Sequence, residues 1–256
     1  MSNVECGMRN AVPLSAPERS PAIFVVGLTS LIVLWLPPLP YAMWAADIPQ
    51  PFLDALLVLG AFKPTDVWPL RWDYLLFPPL FYYALRVTWK SGISIRECGL
   101  GVQYFSGALR KLWLPTLIGS VILLVFGASS HPLEFGLRFW KRLIPFPALI
   151  QQMAIQLFFY RQLVLWLGAG RKTAWILSIF FMMLHAPNPG LMLGTLFGMY
   201  FWTRCYQQQP NLYAIALSHA ILSAVLMQTM PRWLLPSVSV GHRFVEKGIA
   251  QGWWGW

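Results

Sequence analysis

A chain of 256 residues that is 57% hydrophobic and 11% charged falls far below the roughly 25% charge of an ordinary soluble domain, which points to a multi-pass membrane protein. Its net charge of +10 would suit nucleic acid in a soluble chain. Here the cations sit in short loops beside apolar runs, so the expected partners are anionic lipid headgroups and not nucleic acid. Cys6, Cys98 and Cys205 are odd in number and far apart, which speaks against a disulfide framework or a cysteine zinc site.

Residues 1–20 read as a cytoplasmic N-terminal segment, and the apolar run after them as a retained first membrane helix rather than a cleaved signal. Residues 20–46 carry no Asp, Glu, Lys or Arg, and "LPPLPYAMW" should end the helix near Pro37. "FLDALLVLGAF" within 47–66 reads as a short interfacial helix, and 68–89 as a poorer span with Arg71 and Asp73 near its start. Residues 90–111 form a basic loop, which places that side in the cytoplasm, although the basic loop at 129–142 conflicts with simple alternation. "LWLPTLIGSVILLVFGA" (112–128) is a clear span, and 143–160 is another. Pro187 and Pro189 divide 173–203 into two helices, and "QQQPN" reads as a loop before the last span. The predicted fold is an all-α polytopic bundle of about seven spans plus short interfacial helices, with one membrane domain over 21–231 and an aromatic tail over 232–256 that ends in "WWGW".

Polar residues in the second half of this bundle draw attention. Gln151, Gln152 and Gln156 lie inside a charge-free span, and the last two share a helix face. Amides facing lipid are costly, so they should point inward, either as interhelical hydrogen-bond partners or as a site. Phe181 and His185 share a face, as do His219 and Ser223. If the spans alternate, Gln152, His185 and His219 fall in the same half of the bilayer and meet. Gly190, Gly194 and Gly198 form a doubled small-xxx-small stripe, which predicts close helix packing that helps hold the site shut.

The order of these motifs resembles that of the CAAX-protease and bacteriocin-processing (CPBP) intramembrane endopeptidases. The matching positions are Gln151-Gln152-x-x-x-Gln156 for the family's glutamate pair and arginine, Phe181-x-x-x-His185, and His219-x-x-x-Ser223. "IRECGL", "LMLGTLFGMYFWTR" and "NLYAIALSHAIL" extend the likeness over roughly residues 93–225. The resemblance implies a helical membrane core in which His185, His219 and the Gln152 position are catalytic, while Gln151, Gln156, Phe181 and Ser223 line the site. It implies no cofactor or metal, a transmembrane or lipidated polypeptide as substrate, and the plasma membrane of a bacterium. This chain departs from the pattern at the first motif, where glutamine replaces the glutamate that would activate water and also the arginine that would pair with it. No Asp or Glu occurs from 135 to 245 to take over. Losing both charges is consistent, because one left unpaired in the membrane costs at least ~2.5 kcal/mol.

Several readings stand. The glutamate mechanism is opposed by the glutamines. Cleavage with a histidine as base is chemically open. Two histidines without a third ligand make a poor zinc site. A non-catalytic relative, including an accessory subunit of a larger complex, would use the same polar pocket to bind a transmembrane partner or lipid.

Overall fold

The computed structural model describes residues 22–35, 78–79, 81–83, 85–86, 97–129, 135–231, 234–235, 239–241, 244–245, 247–248 and 251. The expected N-terminal segment, the break near Pro37, the interfacial helix in 47–66 and the "WWGW" cluster lie outside them, as does most of the span expected over 68–89.

The described residues are helical, without strands. Helix α1 is Ala22–Trp35, α2 is Phe105–Ala128 and α3 is Leu137–Arg142. Helix α4 (Phe146–Gln152) continues into a π-helical stretch (Met153–Tyr160) and then into α5 (Arg161–Leu167). Helices α6 (Arg171–Met183), α7 (Pro189–Gln208) and α8 (Leu212–Thr229) complete the bundle. Among the described residues three segments are long and apolar enough to cross a membrane: Phe105–Ala128, Phe139–Leu167 and Leu212–Thr229.

Helix α2 has the composition of a helix whose outer side faces lipid. Trp113, Leu117, Val121, Ile122 and Val125 are exposed, whereas its buried positions are Ala108, Leu112, Thr116, Ser120 and Gly127. In water such a helix would be inside out. Between membrane helices, small and hydroxyl residues permit close approach and hydrogen bonding, and apolar side chains face the acyl tails. Helix α2 packs parallel to α8. Thr116 bonds Ser218 at 2.6 Å, and Gly127 lies so close to Thr229 that a Cβ there would come within 2.5 Å of it. By contrast, every residue from Ile155 to Tyr160 is buried, which makes the π-helical stretch the centre of the bundle.

Two asparagines, both fully buried, start α7 and α8. Asn188 accepts from the Leu191 amide at 3.4 Å, just ahead of Pro189 at the first helical position. Its side-chain nitrogen donates to the Ser239 carbonyl at 3.0 Å. Asn211 accepts from the Ala214 amide at 2.9 Å and donates to the Gly101 carbonyl at 2.7 Å. Each cap therefore also ties its helix to a distant loop.

The predicted division at Pro187 and Pro189 is present, with α6 and α7 on either side. The "QQQPN" reading needs correction. Gln207 and Gln208 remain helical, and the loop begins at Gln209. Gln207 donates to the Gly170 carbonyl at 3.0 Å and Gln208 accepts from Lys111 at 2.6 Å, so neighbouring elements hold these amides in the helix up to Pro210.

The chain beyond α8 returns to the turn between α6 and α7. The Gly241 amide donates to the Ala186 carbonyl at 2.7 Å, and the Gly190 amide to the Leu234 carbonyl at 3.2 Å. Leu235 and Phe244 are buried against the bundle.

Candidate functional site

Gln152 ends α4, Gln156 lies one turn on in the π-helical stretch, His185 follows the C-terminal end of α6, and His219 lies within α8. Gln152 is 0% exposed, Gln156 1% and His219 7%, while His185 is only partly buried. The Gln152 side-chain nitrogen donates to His219 Nδ1 at 3.2 Å. Gln156 Nε2 donates to Gln152 Oε1 at 3.4 Å and to the Thr203 hydroxyl oxygen at 3.2 Å, and it faces the Met199 sulfur at 3.5 Å. The Oε1 atom of Gln156 is buried without a hydrogen-bond partner among the described residues.

His185 is held differently. Its Nδ1 donates to the carbonyl of Phe181, one turn earlier, at 2.7 Å. The Phe181 ring, itself buried, lies edge-on to both imidazoles, with centroids 4.6 Å from His185 and 6.5 Å from His219. Phe181 thus places the two histidines in one neighbourhood.

Ser223 lies one turn beyond His219, partly buried, and has no hydrogen bond to the glutamines or to either histidine. Gln151 is also partly buried, and the hydrogen bonds of the cluster run through Gln152 and Gln156. The structure therefore joins Gln152, Gln156 and His219 by hydrogen bonds and sets Phe181 against both histidines, while neither Gln151 nor Ser223 takes part in those bonds. Among the described residues no group of three His, Cys, Asp or Glu is placed to hold a metal.

Sequence reasoning missed Trp202, Ser218 and Thr116. The Trp202 indole stacks on His219 with centroids 4.3 Å apart and planes 30° apart. Its Nε1 donates to the Ser218 hydroxyl at 3.0 Å, and Ser218 also bonds Thr116. One hydroxyl therefore joins α2, α7 and α8 beside the histidine. A Trp in a membrane helix reads as core or interface, and lone Ser and Thr read as packing, so no local signal marks them.

The glycine stripe also divides its work. A Cβ on Gly190 would meet the Leu234 carbonyl at 2.9 Å, and one on Gly194 would meet Leu226 at 3.0 Å, both of which are close packing between elements. A Cβ on Gly198 would instead meet the Trp202 ring of its own helix at 2.9 Å. The missing side chain at Gly198 makes room for the indole that stacks on His219.

This arrangement has hydrogen-bond donors and acceptors but no carboxylate. Glu97 is the one acid among the described residues, and it lies before α2. Scans against family models, curated proteins and solved structures found no match.

Proposed function

We propose that this chain is a membrane protein that holds a membrane-embedded polypeptide at a neutral glutamine–histidine site, a relative of the CPBP intramembrane endopeptidases that has exchanged its water-activating carboxylate for amides. The observation that carries this reading is Gln152 bonded to His219 at 3.2 Å, at the position where the resemblance calls for a glutamate. An amide cannot take a proton from water, but it orders the ring beside it. The absence of any Asp or Glu from 135 to 245 supports the same reading. A bundle of about seven spans, in the plasma membrane of a bacterium with its basic loops on anionic headgroups, follows from the same resemblance and from the charge pattern. The partner is a transmembrane or lipidated chain, bound transiently or as a stable subunit.

A second reading keeps cleavage. His185 uses Nδ1 on the Phe181 carbonyl, and its Nε2 has no hydrogen bond among the described residues, which is the arrangement of an available base. One assay separates the two. Purified chain in bilayers is incubated with single-span peptides, beside His185→Ala and Gln152→Glu variants. We expect wild type to retain peptide without cutting it, and Gln152→Glu to gain any hydrolysis observed. Hydrolysis by wild type that disappears in His185→Ala would overturn the binding reading in favour of the second.

A further inference from the structure

We infer that His185 and His219 are held in opposite tautomers and together form a donor–acceptor pair that takes a neutral amide group. This deepens the proposal above, since it names the chemistry by which a polypeptide would be held. The direction of the hydrogen bonds fixes the two tautomers. A backbone carbonyl only accepts, so His185 carries its proton on Nδ1, 2.7 Å from the Phe181 oxygen. No carboxylate among the described residues is placed to favour a second proton, which leaves Nε2 of His185 as a lone-pair acceptor.

His219 is set the other way. Gln156 Nε2 faces three acceptors: the Thr203 oxygen, the Met199 sulfur and Gln152 Oε1. With its oxygen used as an acceptor, Gln152 turns its nitrogen to His219 at 3.2 Å. An amide nitrogen only donates, so Nδ1 of His219 accepts and the ring proton sits on Nε2. Trp202, stacked on one face and anchored through Ser218, keeps the ring from turning over. Gln152 is therefore a positioning residue that makes His219 a fixed donor.

Both imidazoles stand edge-on to the same Phe181 ring, and in each of them Nε2 is the nitrogen that these hydrogen bonds leave over for a ligand, one accepting and one donating. A peptide amide matches both, because its N–H serves His185 and its carbonyl serves His219. An ester lacks the N–H. A carboxylate only accepts, so it satisfies His219 and leaves the lone pair of His185 facing negative charge.

The test uses the full chain in bilayers, with ring-15N histidine in a His131→Asn, His242→Asn background so that two rings remain. Wild type is expected to give an unprotonated Nδ1 and protonated Nε2 at His219, with the reverse at His185. Gln152→Glu, whose carboxylate accepts, is expected to move the His219 proton to Nδ1. N-decylacetamide should shift both Nε2 signals. Decyl acetate, without the N–H, should shift only His219 and bind about tenfold more weakly, which corresponds to about 1.4 kcal/mol. A His219 protonated on Nδ1 with Gln152 intact, or equal binding of amide and ester, would overturn the inference, and neither result depends on Gln152→Glu folding. The small probes also separate this inference from the broader reading. If the amide binds as expected and single-span peptides are not retained, the pair stands and the polypeptide proposal fails. If peptides are retained with the tautomers reversed, the outcome is the opposite.

Discussion

His219 and His185 face the same phenylalanine, yet they are built into the molecule in opposite ways. His219 is gripped from three helical segments: Gln152 bonds its nitrogen, Trp202 covers its face, and Phe181 stands at its edge. His185 hangs from one bond to its own helix and is partly exposed. The difference teaches that burial and use need not coincide. The more tightly held ring contributes to the fold as well as to the site, whereas the loosely held ring leaves the fold almost untouched and keeps a nitrogen for something else.

If this contrast is right, the largest cost follows from emptying the His219 side. Trp202→Ala removes a buried ring and its anchor on Ser218, and should lower stability by about 3–5 kcal/mol in denaturant-titrated unfolding in detergent. Gly198→Ala should cost less, about 1–3 kcal/mol, because its methyl meets the indole at 2.9 Å and forces it to shift. That variant should also disturb the His219 ring signals while leaving those of His185 in place, and equal disturbance of both would break the contrast. Thr116→Val removes one partner of Ser218 and keeps the Trp202 bond, for about 1 kcal/mol. His185→Ala should cost no more than about 1 kcal/mol, the worth of its bond to the Phe181 carbonyl, while abolishing retention of the amide probe. A large loss of stability there would show that His185 is a structural group after all.

How much of this could be read beforehand depends on the kind of signal. Charge-free runs mark helices because the membrane penalises charge, so α8 and the charge-free part of α2 were legible from composition, whereas residues 105–111, read as part of a basic loop, are helical; Pro187 and Pro189 marked the break between α6 and α7. The approach of Gln152 to His219 was legible from depth, because helices of regular rise place residues at predictable levels. Contacts across the bundle were not. The resemblance put Gln156 in place of an arginine, whereas its amide bonds Thr203, a contact that depends on how α7 is rotated. The glycine spacing is the same whether a glycine faces another helix, as Gly194 does, or its own tryptophan, as Gly198 does. Ser223 has the same i, i+4 relation to its histidine that Phe181 has to His185, yet only the latter pair is joined by a hydrogen bond. Periodicity places a residue on a face but does not say what that face meets. The number of spans lies between these cases, since among the described residues three segments are long and apolar enough by themselves.

The return of the chain beyond α8 has a consequence of its own. Its backbone or side-chain bonds reach Ala186, Asn188 and Gly190, the residues that immediately follow His185. The turn behind the histidine is thus stitched to residues some fifty positions later, and Gly241 adopts a positive φ of 57° where it donates to Ala186. Whatever pulls on the far end of this protein pulls on the support of its most available nitrogen. A fusion partner or a change near Ser239 or Gly241 is therefore mechanically close to the site, however remote it looks along the sequence.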